Sequence, residues 1–239
     1  FPIENFGRSD GMNLLMSVLM GGQLDISTIH QCRLVRLRLP YAFRRRFLRP
    51  RFGIDGLRTM LQRPTGPLLG AIVKPKIGLT VAQWVEVCCE LAAGGVDIIK
   101  EDEVLGDLES LPLQKRIHEA TQALKQFPRP PLYMACITGD GLQLSRHARQ
   151  AIDAGATALH LNIWGGMGAY ADLRRRVRVP IHFQRSGDRV WTTGPYSIAP
   201  SVLYQLASLA GCDTAHIGML GGYADLSLES LKARCTALR

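Results

Sequence analysis

The sequence predicts an α/β fold: a (β/α)8 barrel, incomplete, with strands 1–6 visible, preceded by the tail of an α+β domain. Three observations predict it. Short apolar segments recur at intervals of roughly thirty residues, the length of a βα unit. Amphipathic stretches closed by glycine lie between them, and each apolar segment ends in polar or charged residues. The third observation decides between two parallel architectures. A doubly wound sheet gathers its site at one switch point, whereas a barrel draws residues from all its strand ends onto one face. No G-x-G-x-x-G follows a first strand, so a dinucleotide fold is not indicated.

Taken in order, residues 1–50 read as the C-terminal remnant of the smaller domain. The polar-apolar alternation of "CRLVRLRLP" there suggests an antiparallel strand. Residues 51–66 hold a linking helix in "GIDGLRTMLQ", and residues 67–239 hold the partial barrel. Its strands are expected in "PLLGAIVKP" from Pro67, "VDIIKED" from Val96, "PLYMACIT" from Pro131, "ALHLNIW" from Ala158, "PIHFQR" from Pro180 and "TAHIGML" from Thr214. Stretches such as "TVAQWVEVCCELAAGG" and "SRHARQAIDAGA" place apolar residues at three- and four-residue steps, as amphipathic helices with C-terminal glycine caps do. Two βα units of the barrel are not visible before the chain stops, so the expectation is a partial chain. It would form an open arc whose two end strands expose backbone groups, a hazard for association.

Composition bounds the function. At 239 residues and 46% hydrophobic the chain can bury a sizeable core. It has no run of roughly 18 apolar residues to span a bilayer and no signal-peptide pattern at its start, so the expected location is the cytoplasm, with no membrane partner. The six cysteines form no C-x-x-C pair and lie in periodic apolar segments, which suggests buried reduced thiols. The net charge of +9 is concentrated in eight arginines between Arg33 and Arg51. Tyr41, Phe43, Phe47 and Phe52 among them read as packing residues, and no nucleic-acid-binding motif accompanies the run, so no nucleic-acid partner is expected.

The strand ends carry the chemistry: Lys74 and Lys76, the KEDE group at residues 100–103, Thr138, Asn162, His182 with Gln184 and Arg185, and His216. Lys100, Asp102 and Glu103 suit a divalent metal, since hard oxygen ligands favour Mg2+. Lysine is the odd member, because an ammonium cannot bind a cation. It acts either as a counter-ion or, after reaction with CO2, as a carbamate oxygen ligand. The adjacent acids are expected to raise its pKa and oppose that reaction. A surface salt-bridge cluster is the other reading of the same residues.

The segment "GPLLGAIVKPKIGLT…CCELAAGGVDIIKEDE" resembles the first two barrel strands of the ribulose bisphosphate carboxylase (RuBisCO) large-chain family. The similarity continues through "VPIHFQRSGD" and "LASLAGCDTAHIGMLGG" and reaches back to "FPIENFGRSDGMNLLMSVLMGG". The resemblance implies a carbamylated Lys100 that binds Mg2+ with Asp102 and Glu103. It implies that Lys74 moves protons during enolisation, that Lys76 supports it, and that Arg185 and His216 hold a substrate phosphate. Three positions depart from the family. Tyr223 stands where carboxylating members have a lysine, Gln184 where the family has a histidine, and Gly21 or Gly22 where it has an asparagine. A phenol supplies no positive charge and an amide shuttles no proton near neutral pH.

The pattern is that of a RuBisCO-like protein: Mg2+-dependent enolisation, as in an enolase, isomerase or lyase, of a phosphorylated sugar-like substrate, without CO2 fixation. The alternatives are a genuine ribulose-1,5-bisphosphate carboxylase large chain with a divergent loop, and an inactive gene fragment. The full-length family member would be a homodimer or higher homo-oligomer. This chain by itself, without strands 7 and 8, is expected not to turn over substrate.

Overall fold

The computed structural model describes residues 2–6, 11–221 and 226–238. Two parallel strands, β1 (Cys32–Leu34) and β7 (Tyr196–Ile198), pair with each other outside the main sheet. The main sheet runs β2 (Gly70–Ile72), β3 (Ile98–Lys100), β4 (Leu132–Cys136), β5 (Ala158–Asn162), β6 (Ile181–Gln184) and β8 (Thr214–Ala215), all parallel and in chain order. Helices connect them: α4 (Val81–Ala93), α5 (Leu113–Leu124), α6 (Gly141–Asp153), α7 (Gly166–Arg176) and α9 (Pro200–Leu209). This is a parallel half-barrel. Every residue of β4 and β5 is buried, as expected of strands covered on both faces. The end strand β2 has an exposed–half-buried–exposed pattern instead, so it is not the buried strand that its apolar run suggested.

Local sequence explains how each helix hands the chain to the next strand. Thr80 and Gln83 form a reciprocal capping box at the start of α4. At the other end, α4, α6 and α9 stop in the same way. Gly95, Gly155 and Gly211 adopt φ of +82°, +109° and +89°, and the next amide bonds a carbonyl five residues back: Val96 to Leu91, Ala156 to Ala151, Cys212 to Ala207. The glycine caps read in the sequence are therefore present. At Gly155 a Cβ would also lie 2.5 Å from Thr121 Oγ1, whose hydroxyl donates to the Ala154 carbonyl at 3.0 Å. Gly155→Ala is expected to destabilise the fold by about 1–3 kcal/mol, measured by urea denaturation.

One core joins the sheet to its helices and includes Trp84, Ile99, Tyr133, Leu159, Phe183 and Tyr204. Met12 and Leu15 of α1 (Met12–Met20) and Phe43 of α2 (Tyr41–Arg44) belong to the same core. Within residues 51–66 the chain forms α3 (Gly53–Leu61).

Three expectations need correction. β1 is parallel to its partner, not antiparallel; alternation defines the two faces of a strand but carries no information on the direction of its neighbour. Of the cysteines, all six free, Cys88, Cys136 and Cys212 are buried, while Cys32 and Cys89 are half-buried and Cys235 is exposed. In the arginine run the eight guanidinium side chains belong to exposed residues, Phe43 is buried between them, and Tyr41 is exposed rather than packed, with Arg45 over its ring. Among the described residues no helix is long and apolar enough to cross a membrane. The chain closes with α10 (Leu228–Leu238), which packs on α9 after the short α8 (Arg189–Thr192) further upstream.

Candidate active site

Strand parity divides the KEDE group. The Glu101 carboxylate turns to the helix side of the sheet. There it accepts from Arg116 Nε at 2.8 Å and Nη2 at 3.0 Å, from the Tyr133 hydroxyl at 2.7 Å and from the Cys136 amide at 2.8 Å. Lys100 and Asp102, one residue to either side, take the opposite face. Lys100 is buried and its amine donates to the Glu101 carbonyl at 2.9 Å. Asp102 is buried too, and accepts from Lys74 Nζ on Oδ2 and from the Val104 amide at 3.3 Å on Oδ1. Glu103 accepts from Gln184 Nε2 at 3.1 Å, and the same amide reaches Ser186 Oγ at 2.6 Å.

The electrostatics follow from burial. Desolvation lowers the Lys100 pKa, outweighing the opposing pull of Cys136, Glu103, Asp102 and Glu101. The expected rise is thus reversed, because the amine is withdrawn from water more effectively than its acids stabilise the charge. At Asp102, burial pushes the carboxyl up, but the Lys74 hydrogen bond and the Val104 amide prevail and the pKa is lowered.

Lys74, Lys100, Asp102, Glu103 and Gln184 are therefore brought together. Lys76 is exposed on the loop after β2 and has no hydrogen-bonding or ionic partner among the described residues. Arg185 and His216 form a second group. Arg185 Nη1 is ion-paired with Asp188 Oδ1 at 2.8 Å, and the carbonyl of half-buried His216 accepts from Tyr204. Burial and then the Arg185 charge lower the His216 pKa. Arg185 lines a cavity of about 430 Å3 with Asp188, Arg189, Thr192 and Arg234. Thr138 and Asn162 tie strand ends together instead of facing a ligand: Thr138 Oγ1 accepts from the Asn162 amide, and the Asn162 side chain bonds Trp164 N and Ser186 O. Tyr223 lies outside the described residues.

Sequence reasoning missed Arg116 and Arg234, which read as ordinary helix charges, and His160. The alternation in "ALHLN" was the available signal, since it puts His160 on the face of Asn162. His160 is fully buried and neither ring nitrogen has a hydrogen-bond partner among the described residues. Its ring is 6.4 Å from that of His182, at 87°, and His182 Nδ1 meets Thr214 Oγ1 at 2.8 Å. Burial first, and the Lys100 charge next, push His160 well below its ordinary range and His182 down to about 3. Both imidazoles are neutral in the native state, whereas unfolded ones take up protons below about 6.5. The unfolded state then binds more protons, so stability falls as pH falls from about 6.5 toward 3. Melting temperature measured between pH 7 and 5 is expected to decline, and His160→Gln to flatten the decline.

A parallel half-barrel with a buried lysine and two carboxylates at one strand end, and an arginine and a histidine at two others, defines an α/β-barrel protein with its candidate site on the C-terminal face. The catalytic-domain profile of the ribulose bisphosphate carboxylase large chain matches residues 53–232, and the chain belongs to that family. Within it the chain resembles the RuBisCO-like proteins. An uncharacterised ribulose bisphosphate carboxylase-like protein of Bordetella bronchiseptica is 34% identical over the whole chain and 58% of its own length. A 2,3-diketo-5-methylthiopentyl-1-phosphate enolase of Geobacillus kaustophilus is 36% identical over 89% of this chain and 52% of its own. The crystal structure of a RuBisCO-like protein from Burkholderia fungorum superposes with a TM-score of 0.92 at 28% identity, over 99% of this chain and 60% of that one. The chain thus spans between half and three-fifths of the length of these proteins.

Proposed function

We propose that the protein to which this chain belongs catalyses Mg2+-dependent enolisation of a phosphorylated carbonyl compound, without fixing CO2. The observation that carries the reading is the sorting of the KEDE group. Lys100 and Asp102 share one face, Lys74 is bonded to Asp102, and Gln184 rather than histidine is bonded to Glu103.

The donor set fits Mg2+ on one condition. Among the described residues no three His, Cys, Asp or Glu side chains gather as a metal centre. Asp102 and Glu103 supply two hard carboxylates, and a carbamate on Lys100 would supply the third oxygen. Burial favours the neutral amine that reacts with CO2. Held by these residues, Mg2+ would polarise the substrate carbonyl and stabilise the charge that develops on its oxygen.

The remaining roles belong to the chain's own side chains. Lys74, with 59% of its side chain exposed beside buried Asp102, holds and moves the proton at Nζ. Arg185 and His216 bind the phosphate, and Arg185 and Arg234 add positive charge around the adjoining cavity. Gln184 orients Glu103 but moves no proton. The Geobacillus relative is named for enolising a diketone that carries a phosphate, which is this substrate class. Lys76 supports Lys74, and the assembly is a homo-oligomer.

The test joins this chain to the remaining barrel units of the Geobacillus enolase. With Mg2+ and bicarbonate, the hybrid should exchange the proton next to the carbonyl of 2,3-diketo-5-methylthiopentyl-1-phosphate with deuterium from solvent, followed by NMR. No exchange, or incorporation of labelled CO2 from ribulose bisphosphate into phosphoglycerate, would overturn the reading.

A further inference from the structure

A buried polar network lies behind the candidate site. Arg116, on α5, has no exposed surface. Besides its two bonds to Glu101 it donates from Nη1 to the Gly106 and Leu111 carbonyls, both at 2.8 Å, and from Nη2 to Leu105 at 3.5 Å. One guanidinium therefore holds both ends of the loop that follows Glu103. Tyr133 closes the other side. Its hydroxyl donates to Glu101 and accepts from Trp84 Nε1 at 2.9 Å. Every oxygen of the Glu101 carboxylate is occupied, and Glu101 N continues the ladder to the Met134 carbonyl at 3.0 Å.

We infer that Arg116 and Tyr133 are positioning residues for the metal ligands and act through Glu101. With its side chain clamped behind the sheet and its amide on Met134, Glu101 has a fixed carbonyl, and that carbonyl is the acceptor for the Lys100 amine. The same clamp sets the turn on which Asp102 and Glu103 leave the strand. Metal affinity depends on such outer partners because ligands that must first be ordered bind more weakly. Lysine at position 116 would keep the charge but lose the planar fork that reaches one carboxylate and three carbonyls at once.

This inference rests on the Lys100–Asp102–Glu103 reading and is tested on the 239-residue chain with Mn2+ as the probe. Binding is followed by electron paramagnetic resonance with and without bicarbonate, well below the melting temperature. Arg116→Lys and Tyr133→Phe are compared with Arg174→Lys, which damages another buried ion pair, that of Arg174 with Asp213 at 3.0 Å. The expected result is a loss of Mn2+ affinity of about tenfold or more in at least one of the first two, with the control within twofold of wild type even where its melting temperature falls as far. Unchanged affinity in both, or an equal loss in the control, would show that the network serves stability alone. A wild-type chain that binds no Mn2+ in response to bicarbonate would remove the metal-site reading itself, and the inference with it.

Discussion

Lys100→Ala is expected to abolish the response of Mg2+ binding to bicarbonate. Without an amine at that position no carbamate forms, and Asp102 and Glu103 remain as two carboxylates. One of these is already bonded to Lys74 and the other to Gln184. Two such ligands hold Mg2+ weakly, because the ion keeps its waters unless a geometry close to octahedral replaces them. Titration calorimetry with wild type should show affinity rising with bicarbonate, and rising with pH as more of the amine becomes neutral. The variant should show neither response. Since among the described residues the lost side chain makes a single hydrogen bond, to the Glu101 carbonyl, the melting temperature should change little. A bicarbonate response that survives in Lys100→Ala would place the carbamate elsewhere or remove it.

The largest loss of stability is expected at Asp213, far from this chemistry. Its buried carboxylate accepts from Phe52 N at 2.6 Å, Gly53 N at 3.3 Å, Arg174 Nη1 at 3.0 Å and Ile181 N at 2.9 Å. One side chain thus joins the start of α3, helix α7 and strand β6. Asp213→Ala leaves three amides without their acceptor and a buried guanidinium without its counter-charge. Removing one member of a buried pair costs about 3–5 kcal/mol, which for a chain of this size lowers the melting temperature on the order of 10 °C. Adding Arg174→Leu should recover part of the loss, since the uncompensated charge is then gone. A loss below about 1 kcal/mol in Asp213→Ala would show that water replaces the carboxylate at these donors.

The parts of this fold legible in the sequence are those decided by neighbouring residues. The strands at β3, β4, β5 and β6 announce themselves as short apolar runs because they are covered on both faces, and the helix ends announce themselves because only glycine accepts the required φ. Positions of Lys74, Lys100, Asp102, Glu103, Arg185 and His216 were legible for the same reason, since each follows a recognisable strand. What could not be read depends on distant partners. The direction of β1 depends on β7, and the Lys100 pKa depends on how deeply the folded chain buries it. Arg116 looks like one more surface charge on "LQKRIHEATQAL" until α5 is laid against Glu101. Asp213 gives no sign in its own neighbourhood that it gathers residues from positions 52, 174 and 181.

The division of the KEDE group between two faces also governs how this segment can diverge. A substitution changes one side chain, but an inserted or deleted residue in β3 exchanges the faces of everything beyond it. Glu101 would enter the site, while Lys100 or Asp102 would meet Arg116 and Tyr133. A lysine there would bury like charges together and take the carboxylate from the Arg116 fork, whereas an aspartate, one methylene shorter than glutamate, would reach that fork less well. Drift along this strand is therefore confined to point replacement, and length changes are left to the loops after Glu103 and between the helices, where no alternation has to be kept.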